Sequence, residues 1–486
     1  MYPKELRNEV FIGAGGDEIT SVYFIGAGGI GMSALIRFFQ AKGKKIAGYD
    51  RTPSPLTEQL EKEGVDIHFT DDVSLIPDDF LDKNKTFVIY TPAVPSSHQE
   101  LNYFKNNGFQ VLKRSSMLAV ITSNLISLCI AGTHGKTTTS SMLAHLLKQS
   151  NEDCNAFLGG ILKNYNSNML YSGFSEFVVV EADEYDRSFH SLKPVMAVIT
   201  AVDPDHLDIY GTPQDYRESF EKFTSLIQPG GVLLMKKGID IKPIIHESVW
   251  VYTYSATDES ADFYASNIHI GKGRITFDFI INSNTRFKYQ SNPLIIPNIR
   301  LGVPVRTNIE NALAAMALAF ICDVSPKEIR AAIASFQGVV RRFDIRFKNR
   351  KAVYIDDYAH HPEELKSSIL SIKELYGKRK VTGIFQPHLY SRTKDFADEM
   401  AEALSLLDRL ILLDIYPARE EPIPGVTSEL IFDKVTMENK TLCKKEDLLQ
   451  LLEKEKIDVL VTLGAGDIDR LVEPIRLMLN KKYGKK

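Results

Sequence analysis

Cysteine is scarce in this chain of 486 residues: four, at positions 129, 154, 322 and 443, with no CxxC and no metal-ligand spacing. A disulfide scaffold and a cysteine-held metal are therefore not expected. Long apolar runs are missing too. The longest is the eleven residues Ala312 to Cys322, against the ~18 that a membrane-spanning helix needs. The start, Met1-Tyr2-Pro3-Lys4-Glu5, lacks the apolar core of a signal peptide. Neither sign of charge dominates: 58 basic and 62 acidic side chains leave a net charge of −4. Bulk charge thus argues against a nucleic acid as partner, although a local basic site stays open. A soluble cytoplasmic protein without membrane insertion is the expectation, and a homodimer is left open.

What is present is alternation. At ~150 residues per domain the length suggests about three domains, and three segments each alternate strand-like and helix-like patterns. In the first, Val22 to Ile25, Lys45 to Ala47 and Phe87 to Tyr90 read as strands, and Met32, Leu35, Ile36 and Phe39 recur at helical spacing. The second carries strand runs at Leu128 to Ile130, Phe177 to Val180 and Val195 to Thr200. The third carries them at Val353 to Ile355, Thr382 to Phe385, Leu410 to Leu413 and Val459 to Leu463. From Val249 to Tyr289 apolar and polar residues alternate, which predicts a small antiparallel patch. Strands alternating with helices imply parallel sheets covered on both faces. The expected fold is α/β with three domains: a Rossmann-like domain at 21–127, a central P-loop domain with a mainly parallel sheet at 128–338, and a Rossmann-like domain at 339–486. Residues 1–20 are taken as a leader. Within it, Phe11 to Gly16 duplicates Phe24 to Gly29, but only the second copy has a strand before it and a helical pattern after it.

The polar motifs fall where strands end. Gly26, Gly28 and Gly31 fit G-x-G-x-x-G, with Gly29 between them, at a turn where backbone can approach a pyrophosphate. Asp50, 24 residues after Gly26, ends the next strand and can accept a ribose hydroxyl. This pattern does not separate a dinucleotide from a UDP-sugar. Gly132-Thr133-His134-Gly135-Lys136-Thr137-Thr138 opens a helix expected over Ser140 to Lys148. Its N–H groups can cradle phosphates, Lys136 can bridge the β and γ positions, and Thr137 can ligate Mg²⁺. The spacing departs from the full P-loop pattern, since Ile130 stands where the first glycine belongs. Glu181-Ala182-Asp183-Glu184 can add a magnesium carboxylate. Asp205-His206-Leu207-Asp208 is a polar strand end in which a single histidine is more often structural than a ligand. Asn308 and Asn311 share a helix face, where capping is the plainer role. Arg342 offers a delocalised cation for phosphoryl groups, and Asp357, His360, His361, His388 and Arg392 cluster after the next two strands.

Taken in order, these motifs resemble the Mur ligase family. The resemblance rests on residues 26–33, 132–138, 181–184, 205–208 and 308–311, on Arg341-Arg342-Phe343, and on residues 356–362, 385–388, 413–420 and 422–425. It implies an ATP-dependent amide bond between the carboxylate of UDP-N-acetylmuramate and L-alanine, in peptidoglycan precursor synthesis. By the same resemblance, Gly26, Gly28, Gly29, Gly31, Ser33 and Asp50 bind the UDP-sugar. Gly132, Thr133, His134, Gly135, Lys136, Thr137, Thr138, Asn308, Asn311, Arg342 and Asp357 bind ATP. Thr137, Glu181 and His206 surround Mg²⁺, and Lys136, Glu181, His206 and Arg342 are catalytic. His360 or His361, His388 and Arg392 meet the amino acid and the muramoyl carboxylate. The carboxylate attacks the γ-phosphate, and the amine then displaces phosphate from the acyl phosphate.

Two positions depart from the family pattern. Phe220 stands where sister ligases carry a lysine that becomes carbamylated, and Leu389 follows Phe-Gln-Pro-His where arginine is usual. The nearest alternative is the ligase that joins a recycled tripeptide to the same sugar nucleotide. More distant are an NAD-dependent oxidoreductase, which leaves Lys136-Thr137 unexplained, and a nucleotide-gated binding protein without enzymatic activity.

Overall fold

The computed structural model describes residues 18–204, 207–282, 293–418 and 420–484, with side chains at all of these except 207 and 208. The first glycine repeat and His206 lie outside the described residues. Two compact units divide the chain. One takes residues up to 266 together with 278–299 and 309–336; the other takes 267–277, 300–308 and 337 onward.

The first unit begins with a five-stranded parallel sheet, in the spatial order Asp66–His68, Lys45–Tyr49, Ser21–Ile25, Thr86–Tyr90, Gln110–Lys113. Its central strand is buried along its whole length, as an unbroken apolar run in a doubly covered sheet should be. Helix Ile30–Ala41 buries Met32, Leu35, Ile36 and Phe39 as their spacing predicts. Phe38 on that helix packs 5.3 Å, ring to ring, from Phe157, so both sheets of this unit share one apolar core.

The second sheet is ten-stranded. Strand Ile126–Ala131 lies between Phe177–Glu181 and Met196–Ile199 and runs parallel to both. Part of the antiparallel patch expected over 249–289 forms: Phe263–Gly271 and Arg274–Ile281 are sheet neighbours joined by Lys272-Gly273 alone, both at positive φ, a two-residue connection that only antiparallel strands allow. Strand Trp250–Ser255 differs, pairing parallel with Val232–Lys236 and with Phe263–Gly271, so the hairpin continues the main sheet instead of standing apart. Alternating polarity there reports one wet face, as antiparallel strands commonly have.

The second unit holds a six-stranded sheet in the order Asp344–Lys348, Val353–Asp357, Val459–Leu463, Val381–Phe385, Arg409–Leu412, Lys440–Leu442. Its first strand is antiparallel and the rest are parallel. That antiparallel edge, Asp-Ile-Arg-Phe-Lys, alternates too briefly to be recognised from sequence.

His145, on helix Lys136–Lys148, is 1% exposed and bonded through Nδ1 to Tyr165 Oη and through Nε2 to Ser335 Oγ, each at 2.9 Å. Burial pushes its pKa down to about 4. In the unfolded chain the imidazole charges near pH 6.5, so stability present above that value is lost as pH falls toward 4. The loss is about 3 kcal/mol at most. His145→Gln keeps polar contacts but cannot titrate, and denaturation midpoints of the variant should vary less between pH 6.5 and 4. An unchanged pH slope would refute the assignment.

Candidate functional site

The first glycine turn sits where the strand order of the five-stranded sheet reverses, the place at which open α/β sheets bind ligands. Gly26 has φ +89°, and a Cβ there would lie 2.4 Å from Thr91 Cγ2, so only glycine closes this turn without strain. The Gly28 N–H donates to Asp50 Oδ2 at 2.7 Å. Asp50 thus braces the turn from the neighbouring strand end, a contact not foreseen from its spacing. Gly29 is the N-cap of helix Ile30–Ala41, and Gly31 lies against the Arg114 side chain. Ser33 is fully buried and accepts from Asn168 Nδ2 at 3.0 Å, so its hydroxyl ties the helix to the second sheet.

Lys136 begins its helix four residues earlier than expected, because Gly135 takes the N-cap position in a left-handed conformation, φ +82°. The loop before it hangs between strand ends. Thr133 N–H donates to Ala201 O at 3.0 Å, and Thr133 Oγ donates to Asp203 O at 2.8 Å and lies 2.9 Å from Tyr216 Oη. Thr200 Oγ donates to His134 O at 2.5 Å, while the His134 ring is exposed, 3.9 Å from Asp203. Thr137 Oγ donates to Glu181 Oε1 at 3.0 Å, and Gly159 N–H donates to Glu181 Oε2 at 3.0 Å. Thr138 is half-buried on the same turn. Thr139 Oγ donates to Asn311 Oδ1 at 3.2 Å, which brings Asn311 against the start of the loop helix. The structure thus brings Gly132 to Thr137, Glu181 and Asn311 together at one sheet edge. Among the described residues no three His, Cys, Asp or Glu side chains gather as a metal cluster.

Phe220 is fully buried, its ring 5.3 Å from Phe189 and 5.2 Å from Tyr216. A lysine in such an aromatic cluster would bury an unpaired charge.

In the second unit, strand ends again carry the polar groups. Asn308 Nδ2 donates to Val303 O at 3.1 Å. The Tyr358 ring lies 5.1 Å from the Arg341 guanidinium and 5.3 Å from that of Arg342. Asp357 accepts from Ser368 Oγ at 2.7 Å; burial raises its pKa, with Ser368 and Arg342 pulling the other way. His360 lies 3.3 Å from Glu364, and its ring is 5.9 Å from that of His388. His361 instead packs edge-on against Phe396. Of the two histidines, His360 is therefore the neighbour of His388. Burial, then His360 and Arg392, push His388 down to about 4; burial also lowers His360. Arg392 Nη1 stands 3.5 Å from His388 Nδ1, and Tyr416 stacks on His388 at 5.8 Å. Leu389 holds φ +72° while its N–H donates to Tyr416 O at 3.0 Å. Glu364 is missed by the sequence reading, whereas Tyr358 and Tyr416 stand in the motifs at 356–362 and 413–420 without an assigned role. The spacing His361-x-x-Glu364, a capping-box pattern at a helix start, was the available signal for Glu364.

At the carboxyl edge of its central sheet a glycine-rich loop leads into a helix N-terminus, the arrangement of a P-loop nucleotide-binding protein. Three family models match in chain order: the Mur ligase family catalytic domain at 21–125, the Mur ligase middle domain at 130–319, and the Mur ligase glutamate ligase domain at 341–466. A UDP-N-acetylmuramate–L-alanine ligase of Parabacteroides distasonis is 62% identical over 469 residues, covering 96% of this chain and 99% of the relative. One of Phocaeicola vulgatus is 58% identical, over 96% and 99% respectively. The crystal structure of a UDP-N-acetylmuramate–alanine ligase from Thermotoga maritima superposes with a TM-score of 0.78 at 25% identity, covering 96% of this chain and all of that one. The chain belongs to the Mur ligase family and is, with it, an ATP-dependent ligase.

Gly135→Ala would force a left-handed residue to carry a Cβ placed 2.5 Å from Asn311 Oδ1. It should cost about 2–4 kcal/mol in urea unfolding. A loss below about 0.5 kcal/mol, the range of an ordinary surface change, would show that the loop does not need this conformation.

Proposed function

We propose that the chain joins L-alanine to the carboxylate of UDP-N-acetylmuramate at the expense of ATP, in the cytoplasm. The observation that carries this reading is the 62% identity, end to end, with a ligase of that name, combined with the loop at Gly132 to Thr137. The division of labour we propose is UDP-sugar at 21–127, MgATP at 128–338 and amino acid at 339–486.

In this reading the Lys136 ammonium and the N–H groups of the loop hold the triphosphate of ATP. The sugar's carboxylate is a poor electrophile, and its attack on the γ-phosphate makes phosphate the later leaving group. Both reactants are anions, so Lys136 and Arg342 lower the repulsion as they approach. The hard oxygen donors Thr137 Oγ and Glu181, 3.0 Å apart, suit Mg²⁺, which binds proteins through one or two side chains and otherwise through phosphates and water. When bound, the ion would neutralise charge on the transferring phosphoryl group. His206 completes the proposed magnesium set. Asn308, Asn311, Arg342 and Asp357 are assigned to the nucleotide. His360, His388 and Arg392 are assigned to the amino acid and the muramoyl carboxylate. A neutral His360 or His388, each lowered by burial, can accept a proton.

The burial of Phe220 supports a branch that works without a carbamylated lysine. The tripeptide-joining alternative shares the fold: a murein peptide ligase from Psychrobacter arcticus superposes with a TM-score of 0.65 at 21% identity.

An ADP-release assay with UDP-N-acetylmuramate and a panel of amino acids and tripeptides separates the readings. Release with L-alanine is expected; release with tripeptide alone would move the chain to the other branch, and release with neither would sink the ligase reading. Lys136→Ala should abolish turnover and leave calorimetric UDP-sugar binding largely intact. Loss of that binding would show the division of labour to be wrong.

A further inference from the structure

Glu184 has no part in the reading above, yet its carboxylate is built into the phosphate loop. It is 2% exposed. Lys136 Nζ lies 2.8 Å from its Oε1 and 2.7 Å from its Oε2. The same ammonium donates to Gly132 O at 2.7 Å and reaches Thr133 O at 3.4 Å. An ammonium has three N–H bonds, and these acceptors occupy all of them. The main chain at Glu184 is anchored as well. Its carbonyl accepts from Tyr210 Oη at 2.6 Å and from the Arg187 N–H at 2.9 Å. The carboxylate is therefore held beside the lysine and does not reach it from a loose loop.

We propose that Glu184 is a positioning residue that holds the Lys136 ammonium over the loop while the site is empty and competes with nucleotide phosphates for it. This rests on the reading of Lys136 as a phosphate ligand. A phosphate oxygen can bond Nζ only by displacing one of the present acceptors. It must also come close to a negative charge that water screens poorly, where like charges repel strongly. Both effects lower the affinity for ATP and ADP alike. In exchange, the lysine, 14% exposed, keeps a counter-charge between turnovers, which a buried cation requires. The arrangement favours release of ADP.

The test compares the whole enzyme with its Glu184→Gln, Glu184→Asp and Lys136→Ala variants, by calorimetric ADP and ATP binding and by steady-state kinetics. Glu184→Gln keeps the shape and removes the charge. It should tighten the ADP Kd and lower the ATP KM by about tenfold, with kcat shifting less than KM. Glu184→Asp withdraws the charge by one methylene and should tighten binding in the same direction by less; it carries the test should the glutamine variant not fold. A purely structural role would instead weaken binding and lower kcat. Unchanged or weaker ADP binding in both variants would overturn the proposal. Undiminished ATP binding in Lys136→Ala would overturn the reading of the loop itself.

Discussion

A cation withdrawn from water cannot be left in low-dielectric surroundings without a partner, and the edge of the central sheet is arranged around that constraint. Lys136 stands at the first position of its helix, largely withdrawn from water, with Glu184 and the carbonyl of Gly132 as acceptors. Its place depends on Gly135, whose left-handed backbone turns the chain from loop into helix at that point. The place of Glu184 depends on the neighbouring strand Phe177–Glu181, which pairs in parallel with Ile126–Ala131 and ends level with it. Parallel register thus delivers lysine and carboxylates to one edge, where the helix N-terminus adds its partial positive charge.

The same logic recurs wherever a strand ends in polar residues. Asp50 leaves the second strand of the first sheet and is spent on the Gly28 N–H, so the glycine turn is braced by protein before any ligand arrives. In the second unit Glu364 receives the N–H groups of His360 and His361 at 3.1 and 3.3 Å and faces the His360 ring. Burial pushes that carboxyl upward, yet His360 and these N–H groups outweigh it and leave it below its ordinary value. His388, held between His360, Arg392 and Tyr416, is kept neutral by burial and by like charge. Asp50, Glu364 and His388 each meet a neighbouring polar group, which favours keeping them inside a packed protein.

Much of this was legible in the chain. Apolar runs such as Val22 to Ile25 and Val459 to Leu463 announced buried parallel strands, because strands covered on both faces have no polar positions to alternate with. Glycine spacing marked two tight strand-to-helix turns, since only glycine reaches their backbone angles. Less legible were the features that depend on what lies opposite. Alternation at 249–289 marked the antiparallel pair Phe263–Gly271 and Arg274–Ile281, but not that Trp250–Ser255 pairs parallel with both of its neighbours. Ser33 looked like part of a ligand turn and is instead buried against Asn168, 135 residues away.

By itself the sequence determined the alternation of strands and helices, the two glycine turns and the order of motifs that mark a Mur ligase. These follow from local backbone preference and from residue type at a given spacing, both of which act within a few residues. Only the tertiary structure decided which acid partners which base. Glu181 and Glu184 are three residues apart and alike in chemistry, yet one accepts from Thr137 and the other pairs with Lys136. His360 and His361 are adjacent, yet one meets His388 and the other Phe396. Neighbouring side chains leave the backbone in different directions, and only the packing of distant strands and helices sets what each one meets.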